Sequence, residues 1–342
     1  MSSTTASRIT GVRPLWAVEG GRLEVTGRGF SVEPPPDVRV GGVPARLSCV
    51  SSQTVAITVP GGLEGGRTPI RIDSAPGETV YVDIGAPLAT GLHQVDNPAF
   101  DLAGNLYVTF SGSRGQEAPV SIFRVRPDGS REPFVSGIPN PTSLTFDPSG
   151  RLHVSSRFDG TVYRIEPDGT PAVVASELGV ACGIAFDRDG VLFVGDRSGS
   201  ILRVEDGRVS TLTTLPASIA AFHLAFAPDG ALFVTGPTLG SRDSVYRVSM
   251  RGEVETFYVG LGRPQGLAFD DEGRLYVVDA LAGRGGVYRF ATDTPGEPER
   301  LVDAGGLVGL AFSPDGTLAL ATSETIYRLD AGVRGLLPCG RP

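Results

Sequence analysis

The stretch PQGLAFDDEGRLYVVDA, residues 264–280, reads as a strand, a tight turn and a second strand. The chain repeats it with variations: VDNPAFDLAGNLYVTF (95–110), PTSLTFDPSGRLHVSS (141–156), ACGIAFDRDGVLFVGD (181–196), AFHLAFAPDGALFVTG (221–236) and LVGLAFSPDGTLALAT (307–322). Taking Phe100, Phe146, Phe186, Phe226, Phe269 and Phe312 as anchors, the spacings are 46, 40, 40, 43 and 43. A Gly stands four residues after each anchor (Gly104, Gly150, Gly190, Gly230, Gly273, Gly316), where a tight turn needs a positive φ. A Leu stands six after it, on the returning strand (Leu106, Leu152, Leu192, Leu232, Leu275, Leu318).

A third strand follows every copy (SIFRV, TVYRI, SILRV, SVYRV, GVYRF, TIYRL), and a fourth follows most of them (REPFVSG, PAVVAS, STLTTL, VETFYVG, PERLVDAG). Four strands per forty-odd residues, six times over, make a six-bladed β-propeller of four-stranded blades. One blade cannot cover both of its faces, so each must be buried by its neighbours. The sixth copy has the least certain fourth strand. Residues 86–92, APLATGL, match the fourth-strand pattern and are expected to close the ring; GVRGLLP, residues 332–338, competes for that place.

Residues 7–84 follow a different pattern. Short alternating runs (GGRLEVTGRGF, DVRVGGVPARLSCV, QTVAITVP, RTPIRID) are separated by Gly/Pro turns at about ten-residue spacing, the mark of an antiparallel sandwich. ITGVRPLWAVEGGRLEVTGRGF, VRVGGVPARL and VAITVPGGLEGGRTPIRID together resemble an IPT/TIG domain, an immunoglobulin-like sandwich. The resemblance implies structural roles for Gly20, Gly21, Gly27, Gly29, Phe30, Val40 and Pro44 and suggests a protein partner. The expected organisation is a disordered tail over residues 1–6, the sandwich over 7–84 and the propeller over 85–342. The fold class is all-β.

Over residues 86–330 the blades resemble NHL repeats and the senescence-marker-protein/gluconolactonase propellers. The resemblance implies that the residue four before each anchor faces the channel mouth: Asp96, Thr142, Cys182, Phe222, Gln265 and Val308. In that family, Glu in the first blade, Asn in the third and fourth and Asp in the fifth hold a divalent cation, usually calcium. Asp96 matches the acidic ligand, whereas Cys182, Phe222 and Gln265 replace the rest. Calcium takes six to eight hard oxygens, so Asp96 is a weak remaining metal ligand and the metal site is expected to be degraded. Zinc on Asp96, Cys182 and His223 is the lesser alternative. Asp96 and His223 are also the acid–base candidates.

The chain has 342 residues, a net charge of −8 and 30 basic residues, all of them Arg. The absence of Lys excludes Schiff-base and lysine-base chemistry. The acidic balance gives no support to nucleic-acid or anionic-membrane partners. The sequence contains no GxSxG, HExxH, Walker loop or strand-linked GxGxxG. Cys49, Cys182 and Cys339 are too scattered to pair, and the N-terminal residues carry no apolar run, so the chain is expected to be cytoplasmic and free of disulfides. His153 takes a slot that is Tyr or Phe in most copies and is expected in the core; His93 precedes the first blade.

Arg recurs in two ways. One Arg in each third strand (Arg124, Arg164, Arg203, Arg247, Arg289, Arg328) argues for structure between blades. Five of the six loops between second and third strands, on the mouth face, also carry an Arg: Arg114, Arg157, Arg197, Arg242 and Arg284. Either they pair with nearby acids (Asp159, Asp196, Asp243, Asp279), or they form a site for a carboxylate or phosphate, with Gln265, Asn97 and Thr142 as polar neighbours. The leading expectation is binding of a small, polar, anionic, sugar-acid-like ligand. The alternatives are a metal-dependent sugar-lactone hydrolase and a non-catalytic interaction scaffold.

Overall fold

In the computed structural model, the described residues are 7–336 apart from 117, 282 and 292–295; the expected N-terminal tail, residues 1–6, lies outside them. The quoted hairpin forms as its pattern dictates. Phe269 pairs with Leu275 and Leu267 with Val277, and Gly273 takes φ 80° in the turn. Every anchor hairpin supplies the first two strands of a four-stranded antiparallel blade, six blades in all; five are separate sheets, and the blade that holds Phe269 continues into a larger sheet. Their inner strands touch in succession, and the sixth touches the first, so the ring is closed.

The closing strand is Ala86–Thr90, which pairs antiparallel with Thr325–Asp330 and is the outer strand of the blade that holds Phe312. The competing C-terminal stretch goes elsewhere. Gly335 forms an isolated bridge with Asp270 on the hairpin face of blade five, and residues 337 and 338 lie outside the described set. Joining the last blade with a strand from before the first ties the two ends of the ring together.

Residues 7–84 form two sheets over a shared core of Leu23, Val25, Ile57, Ile70, Ile72 and Val82. Along Arg22–Arg28 the first four residues alternate exposed and buried, so polar residues face water and Leu23 and Val25 face the core. One sandwich sheet continues into the propeller. Trp16–Ala17 pairs in parallel with Val80–Ile84 on one side and with Glu299–Asp303, the outer strand of blade five, on the other. The result is a single nine-stranded sheet spanning both parts.

Asp303 anchors this junction. It accepts a bond from the Arg22 amide at 2.8 Å, pairs with Arg300 at 2.8 Å, and bonds the Val18 amide through its own carbonyl. Burial raises the pKa of its carboxyl, opposed by the Arg22 amide and by Arg300. Val18 enters the core between blades five and six, beside Tyr276 and Leu329.

Candidate functional site

Each inner strand enters the ring at the mouth and runs toward its hairpin. In blades two, three, five and six its pairing is irregular at the point of entry, between Pro141 and Leu144, Ala181 and Ile184, Pro264 and Leu267, and Leu307 and Gly309. Blade four has no such irregularity: His223 pairs directly with Thr235 and Leu224 with Val234. A one-residue change of register moves a side chain to the other face. His223 therefore takes the channel position in this blade, and Phe222 does not.

The expectation that Phe222 faces the mouth is corrected. Phe222 is buried between blades three and four, with Phe193, Ile201 and Leu224. Its ring occupies space left by two glycines, Gly195 on the second strand of blade three and Gly236 just past that of blade four: a Cβ on Gly195 would lie 2.7 Å from Phe222 Cβ, and one on Gly236 2.7 Å from its ring.

The channel interior is a buried polar layer. His223 is 0% exposed, Asp96 2% and Gln265 5%. His223 Nδ1 bonds Asp96 Oδ1 across the ring, and Nε2 meets Gln265 Oε1 at 3.1 Å. Asp96 Oδ1 also accepts from the Asn97 amide at 2.6 Å. The Asn97 side chain ties blade one to two others, donating to Leu267 O at 2.8 Å and accepting from the Leu310 amide at 2.9 Å. Thr142 is buried and donates to Asn140 O at 3.0 Å.

Cys182 is buried, and burial together with the nearby Asp96 carboxylate pushes its thiol up to about 12, against the Arg157 and Arg197 charges. Cys182 and Cys49 are free thiols, and Cys339 lies outside the described residues.

These donors do not fit a divalent cation. Asp96 Oδ1 and Gln265 Oε1 are engaged by His223, Phe222 brings no donor, and the Cys182 thiol holds its proton. Among the described residues, no three His, Cys, Asp or Glu side chains are grouped so as to hold a metal. The arrangement also hides the acid–base candidates: with both ring nitrogens engaged and no exposed surface, His223 has no face to offer a substrate.

Above this layer lies the arginine face. The carboxylates expected as partners are occupied by their own loops. Asp196 accepts from the Val180 amide and Ser198; Asp279 from the amides of Gly262, Arg263 and Leu281; Asp243 from Thr238; and Asp159 from the Thr161 amide and Tyr163. None of the five loop arginines has a carboxylate within ion-pair distance among the described residues.

Arg157 lies within electrostatic reach of two of the others, Arg114 and Arg197. Burial lowers the pKa of Arg157, and the Arg197 and Arg114 charges add to this. Arg197 is held in place by bonds to the carbonyls of Ser218 (3.2 Å) and Ile219 (2.6 Å). Arg242 lines a groove with Leu239, Tyr246 and the same Ser218 and Ile219, and Arg284 lies by Tyr288 in blade five.

Asn140, overlooked in the sequence, shapes this face. It holds φ 44° and binds the Arg114 loop from below, through the carbonyls of Ser111 and Ser113 and the Gly115 amide. A left-handed Asn just before an inner strand leaves no trace in periodicity. His93 is also here, edge-on to Phe110; burial and then Arg157 lower its pKa, while Glu324 raises it. His153 is in the core, with Nε2 on Asp147 at 3.2 Å.

Residues 7–81 match the family profile of the IPT/TIG domain. No curated protein matches the chain by sequence. Among solved structures, a putative gluconolactonase is similar at 20% identity with a TM-score of 0.59, over 74% of this chain and 93% of its own. A gluconolactonase from Xanthomonas campestris is similar at 17% identity and TM-score 0.60, over 71% and 88%. A catalytically inactive virginiamycin B lyase from Staphylococcus aureus, solved with quinupristin, is similar at 14% identity and TM-score 0.53, over 96% and 96%. At these identities the likeness is one of fold: an IPT/TIG domain joined to a propeller of the kind found in gluconolactonases and in that lyase.

Proposed function

We propose that the mouth of the ring binds a small anionic molecule of the sugar-acid type through Arg114, Arg157 and Arg197. One observation carries this reading: Arg157 lies within electrostatic reach of Arg114 and Arg197 on an acidic chain, none of the three has a carboxylate partner among the described residues, and the local acids hold loop backbone instead. Like charges held close repel each other, and an anion bridging them removes that cost and gains charge-assisted bonds. Arg157 is the least exposed of the three, so its bonds to a ligand are the least screened by water. The Asp96–His223–Gln265 layer closes the floor of the site. Because the acid–base candidates lie in that buried floor, binding is favoured over lactone hydrolysis.

The test is calorimetric titration with gluconate and with gluconolactone, using the full chain and Arg157→Gln. Gluconate binding that falls at least tenfold in the variant, about 1.4 kcal/mol, supports the site. Equal affinity in both proteins, or no binding of the acid, overturns it. Turnover of the lactone, lost on Asp96→Asn, would restore the hydrolase reading.

A further inference from the structure

The ring has a second opening, on the hairpin face, opposite the arginine mouth. Behind it is a cavity of about 940 Å³. That lies within the range of about 300–1,000 Å³ typical of small-molecule sites. The buried polar layer and the close approach of the inner strands separate it from the mouth, so it is not the lower half of the same pocket. A Cβ on Gly183 would lie 2.3 Å from Phe222 O, and one on Gly309 2.6 Å from Asp96 O.

The cavity is kept open by a recurrent feature. The residue just before the anchor is small in every blade, and four of these (Thr145, Ala185, Ala225, Ala268) line the space. Its walls are apolar, with Leu224 and Leu267 deep inside. The anchors Phe186 and Phe226 also line it, and they alone of the six anchors are only partly buried. Around the rim stand large apolar side chains open to water: Leu102 at 55% exposure, Met250 at 38% and Leu336 at 36%. Exposed apolar side chains at the mouth of an apolar cavity mark a binding site.

We propose that this cavity is a second binding site, for an uncharged and largely apolar small molecule. The rim's charges are of both signs: Arg188 and Arg334 alternate with Asp187, Asp189 and Asp271. Such a rim gives no net attraction to an ionised ligand, and the apolar interior would not hold a buried charge without a partner. The ligand would cover the part of Phe186 and Phe226 that the core leaves open. This inference does not depend on the arginine site.

The experiment is titration of the full chain with Nile red, an uncharged dye whose emission rises and shifts to the blue in apolar surroundings. Two variants are compared: Ala225→Phe, which fills the interior, and Met250→Glu, which places a charge on the exposed rim and leaves the core intact. The expected result is saturable one-to-one binding that weakens at least tenfold in each variant, with the urea midpoint of Met250→Glu unchanged. If Ala225→Phe does not fold, Met250→Glu alone decides. Unsaturable binding, or binding unaffected by the variants, overturns the proposal. Affinity that rises tenfold or more when residues 337–342 are removed also overturns it, because the chain's own C-terminal segment would then be the occupant.

Discussion

His223 and Asp96, 127 residues apart and in opposite blades, share a hydrogen bond through the middle of the ring. With Gln265 they make a strut that joins blades one, four and five. Replacing His223 by Ala leaves a buried carboxylate with only the Asn97 amide and opens a cavity. Removing one partner of a buried pair costs about 3–5 kcal/mol. The urea midpoint of His223→Ala should therefore fall well below that of the parent chain, and an unchanged midpoint would contradict the strut.

His153 should impose a pH dependence on stability. Burial lowers its pKa from the ordinary value of 6.5, outweighing the attraction of Asp147. The unfolded chain then takes up this proton first as the pH falls. The stability contribution is full above the unfolded pKa and is lost as pH drops toward the folded one. Tyr107 and Tyr276 hold the same slot in other blades and donate to Asp101 and Asp270 at 3.2 and 3.0 Å. His153→Tyr should keep the bond to Asp147, remove the buried unpaired Nδ1 and flatten the decline in urea midpoint between about pH 7 and 5. Parallel declines in both proteins would assign the effect to other groups.

The two described cysteines should differ sharply in reactivity. Cys182 is buried with its thiol pushed up to about 12, whereas Cys49 is exposed on the sandwich. The thiolate is the reacting form, so native Cys182 should resist iodoacetamide at neutral pH. In a Cys339→Ser background, mass spectrometry should find one adduct, on Cys49, before unfolding and two after it. Rapid alkylation of native Cys182 would count against its burial.

The sandwich and propeller should unfold together. They share a sheet through Trp16–Ala17, and Gly21 packs against the outer strand of blade five, where a Cβ would lie 2.2 Å from Asp303 O. Gly21→Ala must therefore push the two apart. Calorimetry should give one transition for the parent chain and two for the variant; two resolved transitions in the parent would mean that the junction does not couple them.

Much of this protein was legible in its sequence, because the relevant signals are local. The anchor Phe, the turn Gly four residues on and the returning Leu define a hairpin within seven residues, and the repetition of such hairpins defines the ring. Residues 86–92 could be matched to the closing strand because an outer strand has its own alternation. The arginines of the mouth loops were visible for the same reason: each stands at a recurrent place in a repeat.

What each of those side chains meets was decided only by the tertiary structure. No local pattern marks Phe222 as core, since the room for its ring comes from Gly195 and Gly236, 27 and 14 residues away in the chain. Nor does periodicity tell that Arg157 lies near Arg114 and Arg197, or that Asp196 and Asp279 accept from backbone amides and, in Asp196, from the Ser198 hydroxyl. The two residues of Trp16–Ala17 are too few to read as a strand, yet they join two sheets because unpaired strand edges of both lie on either side of them. Local alternation and turn chemistry set the blades; blade-to-blade packing, across tens to hundreds of residues, set the channel, the mouth and the junction.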